Sequence, residues 1–247
     1  MTEALGIGMS TAILWIGALA MFAGTLVYLW LGRNVAVYEQ NFFIMAISIT
    51  VIAATAYLAM AMGMGRVTLN GEEVVIARYI DWLLTTPLII ALLGILANAS
   101  RNLIATLIGV DIYMIVAGLL GAIADGLFAS LIWWGIGSAA FLVLLYLLLG
   151  ALSTAAEEMP EDVSGIFTTL RNLTIVLWSV YPVIWVLGGH GFEVLPVVAE
   201  QGGIVALDVF TKVVFGYILL SSHETLRVYS FYGAGREQRV ADRAEPA

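Results

Sequence analysis

Long apolar runs separated by short polar connectors dominate this 247-residue sequence. Seven runs are about as long as a membrane-spanning helix, which needs roughly 20 residues. They cover residues 10–31, 42–62, 79–96, 103–123, 128–151, 166–187 and 204–226. Because most connectors are short, consecutive helices should be antiparallel neighbours. The pattern predicts an all-α membrane protein, a bundle of seven transmembrane helices spanning the lipid bilayer.

The arginines in the connectors and near the ends of these runs, with Arg78 set aside as intramembrane, are distributed unevenly between the two sides of the predicted bundle. Arg33, Arg101, Arg171 and four arginines of the C-terminal segment fall on one side, and Arg66 alone falls on the other. Basic residues accumulate in cytoplasmic connectors. We therefore expect a multi-pass protein of the cell membrane, with the N-terminus extracellular and the C-terminus cytoplasmic.

Three connecting or terminal segments differ from the rest. In "GRVTLNGEEVVIA", two β-prone stretches flank Asn70 and Gly71, a dipeptide that favours a type I′ turn, so a short extracellular β-hairpin is predicted between the second and third helices. The polar "STAAEEMPEDVSG" should be the most mobile internal connector. We assign residues 1–229 to the transmembrane domain and 230–247 to a flexible cytoplasmic tail.

Composition excludes several function classes. A net charge of −8 argues against a nucleic-acid partner, which would require a basic surface. The chain has no cysteine, so it can form neither disulfides nor thiolate metal sites. Its two histidines, His190 and His223, are predicted at opposite membrane faces and cannot share a metal. We expect no metal site and no enzymatic activity.

Five ionisable residues are predicted at bilayer depth, where an unpaired charge costs roughly 2.5–3.5 kcal/mol. They are Arg78, Asp81, Asp111, Asp208 and Lys212. Lys212 is the only lysine in the chain, and Asp208 lies one helical turn before it, on the same face. The third and seventh helices can therefore direct two carboxylates and the Arg78 guanidinium towards one amine.

Two interpretations of the buried lysine are open. It can stay an ammonium in a structural salt bridge, or it can condense with a carbonyl, because burial favours the neutral amine. Aromatic residues surround it on interior helices: Trp82, Trp134, Trp178, Tyr181 and Trp185. Each of them alone is more typical of packing or of an interface anchor. Together with a buried amine they would form a box for a long, flat, apolar aldehyde.

At this point the residues resemble a known family. The stretches "ARYIDWLLTTPLI", "LRNLTIVLWSVYPVIWVLG" and "LDVFTKVVFGYILL" are similar to the third, sixth and seventh helices of the haloarchaeal microbial rhodopsins. The likeness extends from the first span to about Leu226. It implies retinal as the cofactor, bound to Lys212 as a protonated Schiff base.

The resemblance also implies a role for individual residues. Asp81 would be the primary counterion and proton acceptor, bonded by Thr85, with Asp208 as second counterion. Arg78 would lie beneath them, and Tyr57 would reach the extracellular side of this group. Asp111 would be a buried, protonated carboxyl. The retinal pocket would be formed by Trp82 and Trp178 on the two faces of the polyene, and by Thr86, Met114, Gly118, Trp134, Gly137, Tyr181 and Trp185 around it.

The resemblance leaves pump and sensor open. An aspartate at position 81 argues against the family's chloride pumps. Outward proton pumps carry a buried acid eleven residues after the counterion, where this chain has Leu92, and the threonine that partners that acid aligns with Ala46. Without an internal donor the cycle should be slow, which suits a signalling receptor.

Two further positions bear on the same choice. Thr211, next to the retinal lysine, and Tyr181 match the signalling pair of sensory rhodopsin II, but Ala206 replaces a tyrosine that faces the transducer. On the extracellular side, Glu200 matches one half of the pump's proton-release pair, and His190 stands at the other half. The mix resembles middle rhodopsins. We expect a phototaxis receptor that signals through a two-helix membrane transducer bound along its sixth and seventh helices, with a slow outward proton pump as the alternative. A homo-oligomer is left open.

Overall fold

The computed structural model describes residues 2–34, 40–69 and 72–222. Within these ranges, seven helices are long and apolar enough to cross a membrane. They are α1 (Thr2–Leu31), α2 (Gln40–Ala61), α3 (Ile76–Leu96), α4 (Arg101–Ile123), α5 (Leu127–Glu157), α6 (Glu161–Leu187) and α7 (Val197–Ser221). The predicted seven-helix bundle is confirmed.

Consecutive helices pack side by side, and α1 contacts α7, which closes the bundle. The most apolar windows of α3 and α7 are 56% buried, against 17% for that of α4. Lipid is as apolar as the interior of the bundle, so apolar side chains that face lipid need not be buried by protein. The buried fraction therefore identifies the helices that other helices surround. The helices that carry Arg78, Asp81, Asp208 and Lys212 are thus the two innermost.

The predicted β-hairpin is confirmed between α2 and α3. Strands β1 (Val67–Leu69) and β2 (Glu72–Val74) are antiparallel, with Val67 opposite Val74. The buried Val74 packs with Tyr79 and Ala122, which attaches the hairpin to the ends of α3 and α4. The turn dipeptide Asn70–Gly71 lies outside the described residues.

The polar connector expected over "STAAEEMPEDVSG" is mostly helix, so that prediction of its extent was wrong. The fifth helix continues through a π-turn at Leu148–Leu152 as far as Glu157, and α6 begins at Glu161. The connection is therefore only residues 158–160. Polar residues are compatible with a helix end that leaves the hydrocarbon region, and the carboxylates at the start of α6 favour a helix N-terminus.

The seventh helix begins earlier than the apolar pattern predicted and is not a uniform α-helix. It starts at Val197, directly after Pro196, and contains a π-helical segment at Val209–Val214 that includes Lys212. The C-terminal tail predicted at residues 230–247 lies outside the described residues.

Candidate functional site

Lys212 of α7 and Asp81 of α3 form a buried ion pair at the centre of the bundle. The Lys212 Nζ donates to Asp81 Oδ2 and lies 3.4 Å from Asp208 Oδ2. All three residues are at most 2% exposed. Unpaired charges at this depth would be costly, so the two carboxylates and the amine stabilise one another. The structure brings together the three residues that the sequence pattern singled out.

Asp208 is fixed by donors from three other helices. Tyr57 Oη donates to its Oδ2 at 2.6 Å, while Tyr181 Oη and Trp82 Nε1 donate to its Oδ1 at 2.6 and 3.2 Å. Hydrogen bonds to an ionised acceptor are stronger than neutral ones, so this arrangement favours a permanent anion. Tyr57 reaches the carboxylates as expected. Gly17 of α1 makes this possible, because a Cβ there would lie 2.8 Å from the Tyr57 ring.

Thr85 hydrogen-bonds Asp81, as the resemblance implied, and it does so at the main chain. Its hydroxyl donates to the main-chain oxygen of Asp81 at 2.7 Å. A threonine four residues along a helix can reach that carbonyl without any change of backbone, and it has only one hydrogen to donate. Asp81 Oδ1 has no hydrogen-bond partner in the described part of the chain.

Arg78 lies near the carboxylates but bonds elsewhere. Its Nη2 donates to Gln201 Oε1 at 2.7 Å, and among the ion pairs of the described residues it pairs with neither Asp81 nor Asp208. The arginine is 7% exposed. The sequence analysis did not predict Gln201 as the partner of Arg78. A polar glutamine on the buried face of α7 is the signal that could have indicated this contact.

A cavity with about 810 Å³ of space free of protein atoms adjoins the Lys212 amine. Every residue expected to form the retinal pocket lines it: Trp82, Thr86, Met114, Gly118, Trp134, Gly137, Trp178, Tyr181 and Trp185. Asp208, Thr211 and Lys212 line it as well, and so do six residues that the sequence pattern missed: Tyr79, Ile89, Ile115, Ser138, Phe141 and Pro182. Cofactor pockets are mostly apolar with a few placed polar groups, and the lining of this cavity is of that kind, so it suits a long apolar ligand.

Hydrogen bonds hold the aromatic walls in position. Trp134 Nε1 donates to the main-chain oxygen of Pro182 at 2.9 Å, and Trp185 Nε1 donates to Tyr79 Oη at 2.9 Å. Buried indole nitrogens usually find such partners. These bonds fix the orientation of the two indole rings, which limits the shapes that the cavity can accept.

Asp111 lies on α4, away from the amine. Its Oδ2 accepts a hydrogen bond from Thr86 at 2.8 Å, and it is fully buried. No positive group pairs with it among the described ion pairs, so a neutral acid is the form that this position accommodates at lower cost. The contact ties α4 to the wall of the cavity on α3.

A family model described as a bacteriorhodopsin-like protein matches residues 8–226. The chain belongs to the bacteriorhodopsin-like family. It is 45% identical to a bacteriorhodopsin of Haloterrigena sp. (strain arg-4), over 89% of this chain and 90% of that protein. It is 39% identical to sensory rhodopsin-2 of Natronomonas pharaonis, over 88% and 90%. Among solved structures, thermophilic rhodopsin from Rubrobacter xylanophilus has a TM-score of 0.86 at 40% identity, over 89% of this chain and 98% of that one.

Retinal is the cofactor of the bacteriorhodopsin-like family, held as a Schiff base to a lysine, and Lys212 is the lysine buried in α7. The residues of this chain fit that group. An apolar, aromatic cavity leads to an amine, and two carboxylates beside the amine can balance a cationic linkage. Microbial rhodopsins with different roles are similar to this chain to comparable degrees, so membership alone does not distinguish sensor from pump.

Proposed function

We propose that this microbial rhodopsin is a light receptor with a slow cycle, which signals through a two-helix membrane transducer. Retinal, when bound, supplies absorption of visible light and photoisomerisation. The chain supplies an amine whose proton can move to Asp81 Oδ2, the acceptor that it already contacts. Asp208 accepts three hydrogen bonds and is better stabilised as an anion, so Asp81 is the more available acceptor.

The observation that carries the slow cycle is the apolar surrounding of Leu92. This side chain occupies the place of a pump's internal proton donor, is 1% exposed, and belongs to a core cluster with Ala46, Ile49 and Leu93. Among the described residues, the buried carboxyl groups are those of Asp81, Asp111 and Asp208, so the cluster around Leu92 offers no acid to carry a proton back to Lys212 from that end of the bundle. Passage of a proton through an apolar layer is slow, and a long-lived light-activated state gives a receptor time to signal.

Flash photolysis with and without azide tests the slow cycle. Azide is a small weak acid that can carry a proton through the apolar layer, so it should speed recovery of the dark-state absorption in a concentration-dependent manner. Photocurrent in the same preparation should be transient and small. Recovery that does not respond to azide, or a sustained current comparable to that of a donor-bearing pump, would contradict the proposal.

The contact between Thr211 and Tyr181 supports the signalling role. The Thr211 hydroxyl lies 3.4 Å from the Tyr181 hydroxyl, and Tyr181 also bonds Asp208, so α6 and α7 are connected directly beside Lys212. A change at the amine can therefore alter the relative position of the two helices along which the transducer is proposed to bind.

Thr211→Ala should abolish the light response of cells that carry the receptor and its transducer, because it removes the hydroxyl contact with Tyr181 next to the retinal lysine and leaves only the bond between Tyr181 and Asp208. The visible band and proton transfer to Asp81 should remain, since neither needs the threonine hydroxyl. Phototaxis assays and flash spectroscopy measure the two effects separately. Thr55→Ala is a matched control, because the Thr55 hydroxyl is exposed and donates to the Val51 carbonyl of its own helix. A normal light response in Thr211→Ala would argue against this role.

A slow outward proton pump is the second candidate. Polar residues extend from the carboxylates towards the hairpin end of the bundle: Arg78 bonds Gln201, and Glu200 accepts from the Gly189 main-chain nitrogen at 3.0 Å. Such groups can pass a proton outward after it leaves the amine. With Ala206 in place of a transducer-facing tyrosine, this candidate predicts that no transducer copurifies with the protein.

A further inference from the structure

The π-helical segment of α7 places unusual demands on the main chain at Lys212. In a π-turn the hydrogen bonds run from residue i to i+5 instead of i+4, so a carbonyl in the widened turn loses its regular partner. The segment covers Val209–Val214 and lies in the interior of the bundle. A buried carbonyl without a partner would cost free energy, so a donor from elsewhere is expected.

Tyr28 of α1 supplies such a donor, in addition to the Phe215 main-chain nitrogen, which donates to the Lys212 carbonyl. The Tyr28 hydroxyl donates to the main-chain oxygens of both Val213 and Lys212, the latter at 3.1 Å, so its one hydrogen is shared between them. The tyrosine is fully buried. Its hydroxyl therefore connects the first helix to the two consecutive peptide groups at the lysine that attaches retinal.

The chain also makes room for this contact. Gly216 lies one turn after Lys212, and a Cβ at that position would come within 2.5 Å of the Tyr28 hydroxyl oxygen and 2.8 Å of its Cζ. Gly24 on α1 similarly lies against the side chain of Val213. Glycines on both helices thus allow the two helices to approach. A tyrosine that only filled space would not require a glycine next to its hydroxyl group.

We propose that Tyr28 is a positioning residue for the retinal attachment: by holding the π-turn carbonyls of Lys212 and Val213, it fixes the point from which the Lys212 side chain reaches Asp81 and Asp208. The Lys212 amine must stay close to two carboxylates at once, and the position of one of them, Asp208, is fixed by three hydrogen-bond donors. A shift of the Lys212 main chain would therefore change the separation between the amine and its counterions. The inference rests on retinal attachment at Lys212 and applies equally to a sensor or a pump.

The lone lysine permits a direct test. Lysine labelled with ¹³C at its main-chain carbonyl marks a single peptide group, that of Lys212, in the complete protein. In Tyr28→Phe, which keeps the ring and removes the hydroxyl, the labelled amide I band should move to higher wavenumber because the carbonyl loses a hydrogen bond. Tyr146→Phe is the matched control, since Tyr146 is 76% exposed on α5.

The attachment itself gives the second readout. Bleaching by hydroxylamine in the dark, which reports access to the retinal linkage, should become about fivefold faster in Tyr28→Phe, the ratio that corresponds to one hydrogen bond of ordinary net strength. The visible absorption maximum should shift as well. A purely structural role would lower thermal stability but leave the absorption maximum and the bleaching rate as in the unchanged protein.

Each outcome decides the proposal. A shifted carbonyl band with faster bleaching and a displaced absorption maximum supports it. An unshifted band, or a shifted band with unchanged bleaching and absorption, overturns it. If Tyr28→Phe yields no pigment, Gly216→Ala is the deciding variant, because its methyl group displaces the same hydroxyl and should shift the same three signals in the same sense; unchanged signals there would overturn the proposal. The visible band of the unchanged protein tests retinal binding separately.

Discussion

Lys212→Ala is expected to give a protein that shows no visible absorption band after incubation with retinal. The variant lacks the only lysine of the chain, and no other lysine can replace it in forming the linkage. It also leaves the Asp81 and Asp208 carboxylates buried without their cation, a kind of change that typically costs roughly 3–5 kcal/mol. Absorption spectra after reconstitution and thermal unfolding monitored by circular dichroism measure the two effects.

Asp81→Asn is the control for this experiment, because it keeps the amine and the cavity and removes one of the carboxylates that face Lys212. It should still form a pigment, so a band in this variant and none in Lys212→Ala would show that the amine is needed, not merely an intact ion pair. A visible band of normal intensity in Lys212→Ala would contradict attachment of retinal at this residue. The other interpretation, that the buried lysine forms a structural salt bridge, would then remain.

The fold could be predicted from the sequence because apolar runs of spanning length admit few structures in a bilayer. The hairpin was equally accessible, since Asn70 and Gly71 lie between two β-prone stretches. The helix ends were not. The fifth helix continues beyond the apolar run to Glu157, and hydropathy does not distinguish a polar helix end from a polar loop. The π-turn around Lys212 could not be predicted either. One extra residue in a turn shifts the spacing of buried and exposed positions by less than that spacing varies along an ordinary helix.

The centre of the site was predictable for a different reason. Ionisable residues are rare inside a membrane, so Asp81, Asp208 and Lys212 stand out one by one, and the four-residue spacing of the last two indicates a shared face. Contacts that depend on how helices approach one another were not predictable. The Arg78 bond to Gln201 joins residues 123 positions apart, and the Tyr28 bond to Lys212 joins residues 184 apart.

Small residues explain why such contacts escape a sequence analysis. Gly17 and Gly216 matter only because Tyr57 and Tyr28 approach them, and a glycine in a transmembrane helix is common enough to carry no signal alone. Thr85 shows the opposite case. Its position one turn after Asp81 correctly indicated a contact, but not whether its hydroxyl would bond the side chain or the main chain.

Leu92→Asp should accelerate recovery of the dark state by about 10²-fold, the lower end of what a positioned proton donor typically contributes. The leucine is buried in the apolar cluster between Lys212 and one end of α3, so an acid there would supply the proton that bulk water delivers in the proposed cycle. A neutral carboxylic acid is tolerated at such a place more easily than an anion. Flash photolysis measures the recovery, and the acceleration by azide should largely disappear in the variant.

Leu92→Asn separates proton donation from simple entry of water. Asparagine has nearly the same size and polarity as a neutral aspartic acid but no proton to give, so its recovery should stay close to that of the unchanged protein. Equal acceleration in both variants would mean that wetting of the apolar layer, not a donor, limits the cycle. Acceleration by aspartate alone would also bear on function, because a shorter-lived active state should raise the sustained photocurrent and weaken the signal to a transducer. A receptor would thereby be made more like a pump at a position remote from its retinal lysine.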